Sequence, residues 1–297
     1  MINISFDFNL FNNNYYFYER LLVILFSLVP TLILVGCVLY TDRKSKEPTR
    51  NIIICLLSGI LTIAFASYLE NLVMPYFSNN VILTYIWAFI EEFSKIAIFF
   101  LFIFDNKHYD DIYDGVVYMM LIALSFAGLE NIMYAFSENT ISNSISLALM
   151  RDFTTVPLHV ICGILIGYFV SLGSFSKDKN KKHINFVLAM LLPSFIHGTF
   201  NILMTLLGSL NINYSNMLSV LILEIMPLLF IMGILFYIAY KFSKKAVILN
   251  NIFMSCGTYD KKHNYLMTND EYLNSSTRTK RIKLYDKTNL INKKDDV

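Results

Sequence analysis

Seven stretches of about twenty mostly apolar residues recur along the chain, near 21–40, 52–69, 81–104, 115–137, 153–175, 184–209 and 218–241. That is the length an α-helix needs to cross the hydrocarbon core of a bilayer. The pattern predicts an all-α, polytopic membrane protein with about seven transmembrane helices. Composition agrees: only 15% of residues are charged, where a soluble domain carries about 25%. The net charge of +2 is too small for a nucleic-acid partner, and no aromatic-basic repeat supports one. The expected environment is the lipid bilayer.

Lys and Arg fall on alternate loops. Arg43, Lys44, Lys46 and Arg50 follow the first span, Lys177, Lys179, Lys181 and Lys182 the fifth, and Lys241, Lys244 and Lys245 the seventh. The intervening loops, around 70–80, 138–152 and 210–217, hold Arg151 alone. By the positive-inside rule the N-terminus is expected outside and the C-terminus in the cytosol. Residues 1–20 then form an extracytoplasmic segment, 21–241 the membrane domain and 242–297 a polar cytosolic tail. The N-terminus lacks a basic region and a small-residue cleavage site, so the first apolar run is read as a retained span. Cys37, Cys55, Cys162 and Cys256 form no CxxC pair; they suggest neither a disulfide framework nor a cysteine metal site.

The spans contain few ionisable groups: Glu91, Glu92 and Lys95 in the third, Glu130 in the fourth, His159 in the fifth, His197 in the sixth and Glu224 in the seventh. Such groups cost roughly 2.5 kcal/mol or more each on insertion scales and by default mark function. At a rise of about 1.5 Å per residue, Glu91 lies about 15 Å from the outer end, Glu130 and His159 about 10 Å and His197 about 18 Å. Helices running in alternating directions thus bring their polar groups to one band, from mid-membrane outward. His159, Gly163 and Gly167 recur on one helical face, which permits close helix approach. His197 shares a face with Asn201, one turn on. Pro193 precedes them by a turn and can free a backbone carbonyl. Gly128 and Asn131 flank Glu130, and Lys95 can pair with either glutamate. Glu224 precedes Pro227 and reads as structural, and Arg151 and Asp152 as an interfacial pair.

Two adjacent carboxylates in a low-dielectric site do not both ionise cheaply. With Lys95 holding one charged, the other can take a proton from water, as general-base catalysis requires. Histidines and an asparagine on facing helices could stabilise a developing oxyanion. Hydrolysis of an amide fits this set best. No GxSxG is present, and no serine or cysteine stands out as a nucleophile.

The ordered motifs EEFSK (91–95), FAGLEN (126–131), HVICG (159–163) and HGTFN (197–201) resemble the PrsW family of intramembrane proteases, within a superfamily that includes the type II CAAX prenyl proteases. The resemblance spans about 80 to 205 and implies a glutamate-dependent bacterial cell-membrane protease. Glu91 or Glu92 would activate water, His159 would help position it, and His197 and Asn201 would stabilise the oxyanion. Lys95, Glu130 and Asn131 would support them. Glu130 stands where the prenyl proteases more often show histidine, so it is either an auxiliary acid or a structural hydrogen-bonding group. The implied partner is a single-span anti-sigma factor, cut first on its extracytoplasmic side to release an extracytoplasmic-function sigma factor under envelope stress.

No cofactor is expected on this reading. Zinc on Glu91, His159 and His197 is the metal alternative, against which stands the missing HExxH. A proton- or metal-coupled transporter could use the same groups, although internal repeats are absent.

Overall fold

The computed structural model describes residues 16–42, 46–176, 178–209, 226–256, 258–260 and 265–267. The chain is helical: α1 (Phe17–Thr41), α2 (Thr49–Val73), α3 (Asn80–Phe102), α4 (Ile112–Phe136), α5 (Ile141–Phe153), α6 (Thr155–Ser174), α7 (Lys179–Gly208) and α8 (Met226–Cys256). Two three-residue strands, Thr258–Asp260 and Tyr265–Met267, pair antiparallel beyond α8. Among the described residues, six helical segments are long and apolar enough to cross a membrane. Helix α3 has 23 residues and is as apolar as the rest apart from Glu91, Glu92 and Lys95. Counting α3, the seven-span, multi-pass membrane architecture stands. Glu224 lies outside the described residues.

Two boundaries differ from the sequence reading. Residues 141–152, read as part of an outer loop, belong to α5, which ends at Phe153. Its Ser and Asn residues lower the hydropathy, yet Ile141, Ile145 and Ala148 recur on one face. They pack with Val23, Ala135 and Phe136 of α1 and α4. Thr140 caps this helix, its Oγ1 accepting the Asn143 N–H at 3.3 Å. The chain then breaks at Thr154 (φ −124°, ψ −72°) and restarts as α6, whose first turn holds Pro157, where the missing N–H costs least. The second difference is α8, which runs on to Cys256, well past residue 241.

Helices α4 and α6 form the centre, buried along nearly their whole length. Glycines set how closely they approach. A Cβ on Gly167 would collide with the Gly115 carbonyl and stand 2.6 Å from Val116 Cα, and one on Gly163 would stand 2.9 Å from the Met119 carbonyl. The remaining spans pack around this pair. Helix α3 meets α7 where a Cβ on Gly198 would strike the Tyr85 ring, and the Tyr85 hydroxyl bonds Thr199 Oγ1 at 3.0 Å. These approaches bring α3, α4, α6 and α7 together around one polar cluster.

Candidate active site

Adjacent helical positions project about 100° apart, so Glu91 and Glu92 meet different sides of their surroundings. Glu92 shares a face with Lys95, one turn on, and both are fully buried. Lys95 Nζ donates to Glu92 Oε1 at 2.7 Å and to His159 Nδ1 at 2.9 Å. An ammonium group has donors only, so Nδ1 of His159 accepts and its proton sits on Nε2. That N–H donates to Glu130 Oε2 at 2.9 Å, which also accepts from Arg151 Nη2 at 2.8 Å. On the other side, His197 Nδ1–H donates to Glu92 Oε1 at 2.8 Å. Four helices and the end of α5 thus contribute to one chain of hydrogen bonds.

Aromatic rings pack this chain. Lys95 Nζ lies 4.4 Å from the Phe126 ring centroid, and the two histidine rings meet edge to face at 4.8 Å. The Arg151 guanidinium stacks 3.9 Å above Tyr134. Cys162 Sγ–H donates to the Pro193 carbonyl at 3.7 Å, tying α6 to the proline turn of α7.

Glu91 points elsewhere, into a cavity of about 200 Å³ between α2, α3, α4 and α7. Glu70, Glu130, Arg151, His197 and Asn201 share its wall with apolar side chains. With Nδ1 committed to Glu92, His197 presents the bare Nε2 toward Glu91 Oε2, 3.9 Å away. Two acceptors facing each other are reconciled by a proton on Glu91, by something between them that donates to both, or by a cation. Glu91 Oε2 and Glu92 Oε2 are both buried without a hydrogen-bond partner.

Of the residues singled out in the sequence, Glu91, Glu92, Lys95, Glu130, His159 and His197 meet in this cluster, and Asn201 lines the cavity. Asn131 does not face it. Its amide nitrogen bonds the Ser27 and Ala148 carbonyls at 3.4 and 3.2 Å and Asp152 Oδ1 at 3.0 Å, between α1, α4 and α5. Arg151 and Asp152 bond Glu130 and Asn131 in place of each other. The sequence reading missed Arg151 as Glu130's partner, and it missed Glu70. The signal for Glu70 was helical periodicity, because Ile63, Ala66, Ser67, Glu70, Asn71 and Met74 line the cavity at helical spacing.

Glu91, Glu92, His159 and His197 each offer one ligand atom, all within 4.8 Å of one another. Two carboxylates and two imidazoles with two unpartnered buried oxygens are a donor set that fits a divalent cation. Lys95 competes for two of those atoms.

A family model described as PrsW family intramembrane metalloprotease matches residues 47–249. Protease PrsW of Clostridioides difficile (strain 630) is 29% identical over 191 residues, covering 62% of this chain and 80% of that protein. Protease PrsW of Oceanobacillus iheyensis is 33% identical over 181 residues, covering 60% and 80%. Protease PrsW of Bacillus subtilis (strain 168) is 26% identical over 189 residues, covering 62% and 83%. No solved structure matches the chain. These relatives are proteases and lend no support to a transporter. The family's description as metalloproteases keeps a metal open, against the expectation of none.

Proposed function

The chain belongs to the PrsW family of intramembrane proteases, and from that premise we propose that Glu91 is the general base of its peptide hydrolysis. The observation that carries this is the opposed pair of acceptors, Glu91 Oε2 and His197 Nε2, 3.9 Å apart at the cavity wall. A water donating one hydrogen to each stands with its lone pairs toward the cavity. The Glu91 carboxylate takes a proton as the water oxygen attacks the scissile carbonyl carbon. The Asn201 amide, one turn past His197, donates to the resulting oxyanion. Glu91 then returns the proton to the amine nitrogen as the C–N bond breaks.

Glu92 is the less suitable base, because Lys95 and His197 already engage it. Its task is to hold both partners in place. His159 has both ring nitrogens committed and positions Lys95, while Glu130 and Arg151 brace His159 from the cavity side. A divalent cation, if bound, would be held by Glu91, Glu92, His159 and His197 and would supply Lewis-acid activation.

The substrate class proposed is a single-span anti-sigma factor, cut first on its extracytoplasmic side, with release of a sigma factor as the consequence. The site's expected depth in the outer half of the bilayer supports that reading. Co-expression with a tagged single-span anti-sigma factor of the same genome tests it, wild type against Glu91→Gln. A shortened fragment with wild type alone is expected; an equal fragment with both contradicts the base assignment. Treating the purified protein with phenanthroline settles the metal. Persisting cleavage leaves activation to Glu91, and loss that Zn²⁺ restores makes the reaction metal-dependent, with the four groups as candidate ligands.

A further inference from the structure

The cavity in front of Glu91 carries more negative than positive groups. Glu70, Glu91 and Glu130 border it, against the one guanidinium of Arg151. Arg151 is committed to Glu130 at 2.8 Å, and Glu91 is engaged in the chemistry. Glu70, in the last turn of α2, has no hydrogen-bond or ion-pair partner of its side chain among the described residues. A half-buried carboxylate beside two others is crowded by like charge, which either a proton or a cationic partner relieves.

The rest of the wall says which kind of cation fits. Ile63, Met74 and Trp87 line the same space, a surface suited to a methylene stem, with an indole to meet a cationic head. A volume of about 200 Å³ has room for one long side chain. Apolar side chains and an unpartnered carboxylate in one wall suit the stem and head of a lysine or arginine.

We infer that Glu70 determines specificity by receiving a Lys or Arg side chain of the substrate, next to the bond that Glu91 attacks. The inference rests on the protease reading and adds a substrate class to it: membrane-spanning segments with a basic residue beside the cut.

Full-length protein in detergent micelles is given single-span reporter peptides carrying Lys, Arg, Gln or Glu in turn at each position around the cut. Wild type is expected to favour Lys or Arg over Gln by about tenfold in kcat/KM, as a charged hydrogen bond in a semi-buried site allows. In Glu70→Gln that ratio falls to near one, and in Glu70→Lys the preference turns to Glu. Because each ratio is taken within one variant, partial misfolding does not mimic the result. Cleavage by wild type with no preference, or the same preference in wild type and Glu70→Gln, overturns the inference.

A binding arm separates it from the reading beneath it. In the Glu91→Gln background, anisotropy of the fluorescent reporters is expected to show the same preference for Lys over Gln, removed by adding Glu70→Gln. If that preference holds while wild type cleaves no reporter, the protease reading fails and the role of Glu70 stands. If binding too shows no preference, Glu70 is not a specificity determinant.

Discussion

Glu91 and Glu92 are neighbours in the chain with different surroundings, and substitution should separate them. Glu92 is a charged partner of buried Lys95, and its removal leaves that ammonium uncompensated. Breaking a buried pair costs about 3–5 kcal/mol, so Glu92→Gln is expected to lower the thermal unfolding temperature in detergent as well as abolish cleavage. Glu91→Gln should abolish cleavage while unfolding near the wild-type temperature, since no hydrogen-bonded partner is lost. Equal destabilisation by both would contradict the division of roles. The sequence made the cluster's membership legible, because ionisable groups in lipid-length helices have few places to go. It did not distinguish the two glutamates: that depends on the rotation of α3 against α7, set by the contact of Gly198 with Tyr85. It also paired Arg151 with its neighbour Asp152, because adjacency is visible in sequence while the stacking of Arg151 on Tyr134 is not.

At the scale of elements, the contact between α4 and α6 positions His159. Gly167→Val would drive a branched side chain into the backbone at Gly115 and Val116, where overpacking costs typically about 1–3 kcal/mol. Lower unfolding temperature and reduced cleavage are expected together; a variant as stable and active as wild type would show that the contact is loose. Helix-boundary errors have a similar origin. Helix α5 was obscured because Ser144, Arg151 and Asp152 are buried on the same side as Ile141, Ile145 and Ala148, so that mean hydropathy hides a packed face.

The loop between α1 and α2 adds a pH dependence. Burial raises the Glu47 carboxyl above its usual range, with the charges of Asp42 and Asp111 acting the same way against the hydrogen bonds from Asp114 and Tyr118. Burial likewise raises Asp42, with Asp111 adding to it. A carboxyl raised on folding binds its proton more tightly in the folded chain. Its stabilisation is full below roughly pH 4 and is lost as pH rises through the folded value. The unfolding temperature should therefore fall from pH 5 to pH 8, and Glu47→Gln should flatten that slope. An unchanged slope in the variant would assign the dependence elsewhere.

At the scale of the whole molecule, the number of spans was legible because bilayer thickness fixes helix length. The orientation expected from Lys and Arg placement puts the N-terminus outside. In right-side-out cells, protease added externally is expected to remove an N-terminal tag and spare a C-terminal one; the reverse would place the site's cavity on the cytosolic side. Orientation matters because the cavity is bordered by the end of α2 and by Arg151 at the α5–α6 break, and the face those elements occupy decides which side of a substrate is cut. The most direct measurement is the initial rate of cleavage of a single-span reporter by purified protein in liposomes, wild type against Glu91→Gln. Removing a general base together with its positioned water is expected to lower the rate by about a thousandfold or more, with folding unchanged. A Glu91→Gln variant that cleaves at the wild-type rate would contradict the assignment of Glu91 as the group that activates water.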